Sequence, residues 1–194
     1  MTEATSQLNG QLNEIRRRAR ELISGLTDEQ IRQRPHPAKW SIAECLVHLN
    51  LSAGLIQPKI AAAIEQGKRE KVTGTGPFSP GPLGRLLIWI VTPPPKFRIR
   101  AMKNISPPVV IGDLSQMVAE FMTIQDRWQE LAREAEGLDQ SKVKVAHLFP
   151  GLPRLRLAVP IPWMMAHQER HLFQAENVRR QILSAAPNSS ARAV

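Results

Sequence analysis

The chain has a single cysteine, Cys45, and no tyrosine at all among its 194 residues. One cysteine excludes an intramolecular disulfide framework and any cysteine-rich zinc module, so a metal would have to be held mainly by histidine or carboxylate. The missing tyrosine removes the phenol from the acids and bases available for catalysis. Long hydrophobic runs are also missing. The longest, Leu86 to Val91, falls far below the ~20 apolar residues needed to span a bilayer. Met1 to Gly10 is polar and lacks the apolar core of a secretory signal. A cytoplasmic protein with no membrane partner is expected.

Acidic residues are scarce relative to basic ones, 17 against 26, giving a net charge of +9. The excess is not spread evenly. The stretch 67–111 carries +7 and the stretch 141–163 carries +4, whereas 112–140 carries −5. Charge concentrated in connecting segments, with no accompanying recognition motif, does not describe a nucleic-acid-binding protein, and no nucleic-acid partner is expected. The basic residues Lys96, Arg98, Arg100, Arg154 and Arg156 suit either a solvated face or the attraction of an anionic substrate.

What the chain does have is helical periodicity. Leu8, Leu12, Ile15, Ala19, Leu22 and Ile23 recur at three- and four-residue intervals, with Arg16, Arg17 and Arg18 expected outside. Thr27 to Gln30 offers a capping box for a short turn, closed by Pro35 and Pro37. Ser41 with Glu44 three residues on is a stronger one, and Trp40 is placed to pack on Cys45 as a hydrophobic staple. The helix it opens runs through Ile42, Leu46, Leu49, Ala53, Ile56, Ile60 and Ile64, with a bend expected at Pro58. Asp113 starts another, with Leu114, Met117, Phe121, Gln125, Trp128 and Leu131 on its core face and a stop at Gly137. Pro160 and Pro162 suit the first turn of a last helix ending near Ala185.

Four long amphipathic helices and no confident strand predict an all-α four-helix bundle. One domain over 1–186 is expected, with a disordered tail at 187–194. The connection from Gly67 to Gly112, carrying one short helix near Leu83 to Val91, and that from Asp139 to Pro162 imply at least one crossover. Connections this long often form lids or binding loops.

The last helix holds the anomaly. At 100° per residue, Trp163, Met164, His171, Gln174, Val178 and Ile182 all fall within about 60° of His167. Two histidines and a glutamine thus occupy the centre of an apolar face, where unpaired polar groups are costly. Histidines at i and i+4 can reach one metal ion, or be core histidines bonded to other side chains. Gln168 stands where the zinc-protease pattern needs glutamate, and Glu169 points away from both histidines, so a peptidase is not expected.

The segment Lys39-Trp40-Ser41-Ile42-Ala43-Glu44 with His48-Leu49, and then Trp163, His167, His171 and Gln174, resembles the DinB-like (DinB/YfiT) superfamily. The resemblance implies a four-helix bundle whose His48, His167 and His171 form a three-histidine site for a divalent metal, with Zn, Ni and Fe all suited to imidazole. It also implies small-molecule chemistry. Characterised members of the wider group act on low-molecular-weight thiols as S-transferases or isomerases. The alternative is a metal-free member that binds a small ligand or partner in the same pocket without catalysis, for which His48 would turn away from His167.

Around that set, Gln174 either orients a ligand or is a buried amide, and Cys45, one turn before His48, is either a small core residue or a further ligand. Trp163 reads as core packing beside the pocket. His36 and His147 fall in proline-rich connections and read as surface histidines, with His147 also a candidate for the mouth of the site. Homodimerisation is left open.

Overall fold

The computed structural model describes residues 2–97, 100–146, 151 and 153–185. His147, the centre of the Lys96 to Arg100 segment and the tail expected at 187–194 therefore lie outside the described residues. Among the described residues six α-helices account for most of the fold: α1 (Glu3–Ile23), α2 (Asp28–Arg32), α3 (Ile42–Arg69), α4 (Gly81–Val91), α5 (Leu114–Glu134) and α6 (Pro160–Ala185). The architecture is all-α, as expected.

Three predicted starts are made by the side chains that announced them. The Ser41 hydroxyl accepts from the Glu44 backbone N–H at 3.1 Å, and the Glu44 carboxylate accepts from the Ser41 N–H at 2.8 Å. Thr27 and Gln30 form the same reciprocal box at α2. Asp113 caps α5 by accepting from the Gln116 N–H at 2.8 Å. Helix α5 closes where the chain passes through Gly137 at φ +80°, a left-handed turn natural to glycine.

The four long helices form a ring in which α3 and α1 each pack on both α5 and α6. Hydrogen bonds fix the directions. Asn50 and Gln57 of α3 donate to the carbonyls of Met117 and Ile124 of α5, so partners advance together and the two helices are parallel. On α1, Thr5 reaches Glu136 and Arg16 reaches Asp126, an antiparallel order against α5. Arg18 pairs with Glu169 and Glu176, and Arg179 donates to the Leu22 carbonyl, so α1 and α6 run parallel. Helix α3 then runs antiparallel to α6. Only a crossover can join the parallel α3 and α5, and the long 70–113 segment is that crossover.

Local pattern and structure differ in two places. Only Arg17 of the arginine triplet is exposed, paired with Glu14 and Glu21 of its own helix; Arg16 and Arg18 are part-buried and clamp α1 to α5 and α6. A two-stranded antiparallel ribbon, β1 (Lys144–Val145) on β2 (Leu155–Arg156), interrupts the second connection where no strand was expected. Its inward residues, Val145 and Leu155, join the core. Helix α3 passes through Pro58 as one continuous element.

Two packing features position the site. Between Ile42 and Ala53 only Val47 and Leu51 escape burial, so the N-terminal half of α3 is enclosed almost all round. Gly84 lets α4 lie against the start of α6, where a Cβ would come within 2.6 Å of the Val159 side chain. Ser41→Ala removes the α3 cap and leaves the Glu44 N–H unpaired; it should lower unfolding free energy by about 1–2 kcal/mol, read as a reduced urea midpoint at unchanged far-UV helical signal.

Candidate metal centre

The capping box sets the first turn of α3, and two turns later the helix points His48 across the seam toward α6. There His167 and His171, one turn apart, face it. Ring centroids stand 5.1 Å apart for His48 and His167, and 4.6 Å apart both for His48 and His171 and for His167 and His171. One ring nitrogen from each lies within 4.8 Å of the other two. All three side chains are buried.

Two indoles wall the cluster. Trp163 stacks on His167 at 4.8 Å between centroids and 13° between planes. Trp40 stacks on His171 at 5.7 Å and tilts against His48 at 4.9 Å. The residue expected to staple onto Cys45 is therefore a wall of the site, and Trp163 lies beside the pocket as a half-buried ring.

The nitrogens carry a further constraint. His48 Nδ1 lies 2.7 Å from the carbonyl oxygen of Ile105, in the 3₁₀ turn Lys103–Ile105 of the crossover. A carbonyl only accepts, so Nδ1 carries the proton and Nε2 of the neutral ring keeps its lone pair. That Nε2 sits 3.3 Å from His167 Nε2. Bonding one ring nitrogen to a backbone carbonyl while the other faces inward is how metal-ligating histidines are commonly oriented. Among the described residues the Nδ1 atoms of His167 and His171 are buried without a hydrogen-bond partner.

Electrostatics keep all three rings neutral. Burial pushes the His48 pKa below its ordinary value, against the Ile105 bond, which raises it. Burial drives His167 well down, and the neighbouring His171, His48 and Arg170 push the same way. His171 is lowered to about 3, first by burial, then by His48 and Arg170, with hydrogen bonding to Gln174 opposing. Neutral imidazole is the form that binds a metal, and the cluster contains no carboxylate among the described residues. This donor set fits a divalent ion of the Zn, Ni or Fe kind.

Over residues 11–175 the chain matches the family model of the DinB superfamily. It belongs to the DinB superfamily. No curated protein and no solved structure matches. The matched span holds both motifs that carried the resemblance, and a possible three-histidine metal cluster is in keeping with this superfamily.

Of the remaining candidates in this DinB-superfamily chain, Gln174 is half-buried on the same helix, three residues beyond His171, whose lowered pKa it opposes. Cys45 is a free, buried thiol outside the histidine cluster, and burial pushes its pKa far up, so it stays protonated. Glu169 faces the opposite side of α6 and pairs with Arg18.

Sequence reasoning missed two contributors. Arg170 is a buried guanidinium beside the histidines that donates to the carbonyls of Phe97 at 2.6 Å and Ile90 at 3.4 Å, tying α6 to the last turn of α4 and the strand of chain after it. Its position about 60° from His167 on the helical wheel was the available signal. The Ile105 carbonyl had none.

Below an ordinary imidazole pKa of about 6.5 the unfolded chain takes up protons that the folded centre refuses. The metal-free protein should therefore hold constant histidine-linked stability above that pH and lose it as pH falls from about 6.5 toward about 3, the folded value of His171. Urea unfolding of chelator-treated protein across that window checks this, and His171→Gln should flatten the slope.

Proposed function

We propose that His48, His167 and His171 hold a divalent metal ion, and that the centre serves a small-molecule enzyme of the thiol-transferase kind. The observation that carries the reading is the convergence of three buried, neutral imidazoles, one of them oriented by a backbone carbonyl, in a DinB-superfamily bundle. A metal-free pocket protein would have His48 turned from His167; the 3.3 Å separation of their Nε2 atoms favours the metal reading.

A divalent ion with three protein ligands keeps a position for substrate and, as a Lewis acid, lowers the pKa of a thiol or water bound there. The chain's own residues do the rest. Trp40 and Trp163 hold the rings and exclude water from two sides. Arg170 adds a fixed positive charge that favours an anionic reactant. Neither Cys45, protonated and apart, nor Glu169, bound to Arg18, supplies an acid or base. The basic residues of the crossover would draw in an anionic, carboxylated thiol.

Metal analysis of protein purified without an affinity tag and equilibrated with Zn²⁺ or Ni²⁺ should give about one equivalent. Less than about a tenth would remove the basis of the proposal. His171→Ala should bind metal at least about tenfold more weakly, since losing even an orienting partner of a ligand costs that much, with the helical far-UV signal retained. A panel of small thiols assayed with electrophiles tests the chemistry: conjugation should require the loaded wild-type protein, and equal rates for wild type and His171→Ala on every thiol would exclude it.

A further inference from the structure

The charge and the exposed apolar surface of the crossover coincide. Between Glu70 and Asp113 there is no acidic residue, and there are six basic ones: Lys71, Arg85, Lys96, Arg98, Arg100 and Lys103. Within that stretch α4 buries only Gly81, Gly84 and Val91. Leu83, Leu86 and Trp89, spaced by three along one ridge, are turned outward, the last two at 50 % exposure each. Phe97, 54 % exposed, meets Trp89 edge-on at 6.1 Å. The Lys96 ammonium sits 5.0 Å over the Trp89 ring. Arg85 lies on the same helix, and Arg85, Lys96, Arg100 and Lys103 are all exposed.

A contiguous apolar ridge in water marks a surface that something covers. A second copy of the same face would set two segments of purely basic charge against each other, which Coulomb repulsion opposes. Nucleic acid would satisfy the cations and could stack on Trp89, but it offers Leu83 and Leu86 nothing to bury against. An anionic bilayer satisfies both halves. Leucine and tryptophan enter the boundary between headgroups and acyl chains while lysine and arginine meet lipid phosphates.

We propose that α4 and the segment after it dock the protein on the surface of membranes containing anionic lipid, with Leu83, Leu86, Trp89 and Phe97 inserted and the surrounding basic residues on the headgroups. No helix among the described residues is long and apolar enough to cross a membrane. The expectation of no membrane partner rested on that criterion, and a helix lying in the interface does not need to meet it. The docking segment also bonds directly to the histidine centre. Arg170 holds the carbonyls of Ile90 and Phe97, and His48 holds that of Ile105.

Flotation of the full chain with vesicles of phosphatidylcholine alone, and of phosphatidylcholine mixed with phosphatidylglycerol, tests the proposal without reference to the metal centre. Binding to the mixed vesicles should be at least about tenfold tighter than to phosphatidylcholine and should weaken with added salt. The double variant Leu86→Glu with Trp89→Glu, at two exposed positions, should lose about tenfold or more in affinity while keeping its far-UV spectrum and urea midpoint. Absence of binding to the mixed vesicles, or equal binding by the double variant, overturns the proposal. So does a wild-type dimer in analytical ultracentrifugation that the double variant converts to monomer, which would assign the ridge to a second copy.

Discussion

Three uncharged imidazoles buried in one seam are the constraint around which this bundle is arranged. Each ring lies where protonation is penalised, and each must be held at a fixed angle to leave a nitrogen inward. Such a set is stable only if its scaffold does not yield. The capping box of Ser41 and Glu44 fixes the start of α3 and hence the direction of His48. Arg18 anchors the outer face of α6 through Glu169 and Glu176, so the rotation of α6 about its axis, and with it the aim of His167 and His171, is pinned from behind. The two indoles then restrict the rings from the sides.

The crossover is the less obvious part of that scaffold. A bundle with parallel α3 and α5 needs a long connection for topological reasons alone, and composition makes this one proline-rich and basic. The connection also supplies backbone carbonyls at two places where the site needs acceptors. Ile105 sets the tautomer of His48, and Phe97 with Ile90 takes the guanidinium of Arg170. The negative end of the α4 dipole suits that guanidinium, which has no carboxylate partner among the described residues. Closing the bundle and completing the site are thus done by one segment.

How much of this could be read in advance follows from the range of each interaction. Caps are local, so Thr27, Ser41 and Asp113 announced their helices and made them. The pairing of His167 with His171 is also local, a matter of helical period. His48 is not: nothing within its own helix ties it to α6, and only the family pattern joined it to the other two. The stacking of Trp40 on His171 was out of reach, because a residue just before a cap meets the facing helix only once α6 is packed across the seam. Arg16 and Arg18 looked solvent-facing because their partners, Asp126, Glu169 and Glu176, lie more than a hundred residues away. A two-residue ribbon such as Lys144 with Arg156 has no period at all.

The charge balance of the centre bears most directly on its chemistry. Three neutral imidazoles offer a divalent cation no negative charge, and the nearest fixed charge, Arg170, has the same sign as the ion. Glu169, on the same helix, is spent on Arg18, and Glu44, near the start of α3, is spent on Arg34 and its own cap. In a dry seam the excess charge cannot be left to solvent screening. Because the cluster holds no carboxylate among the described residues, a metal bound as proposed would take its balancing anion from outside the protein. A centre built this way gains most from a ligand that becomes negative on losing a proton, as a thiol or water does, and gains little from a neutral carbonyl. A carboxylate among the ligands would remove that preference, so under the proposed metal reading the all-histidine donor set and the buried arginine would together favour anionic reactants.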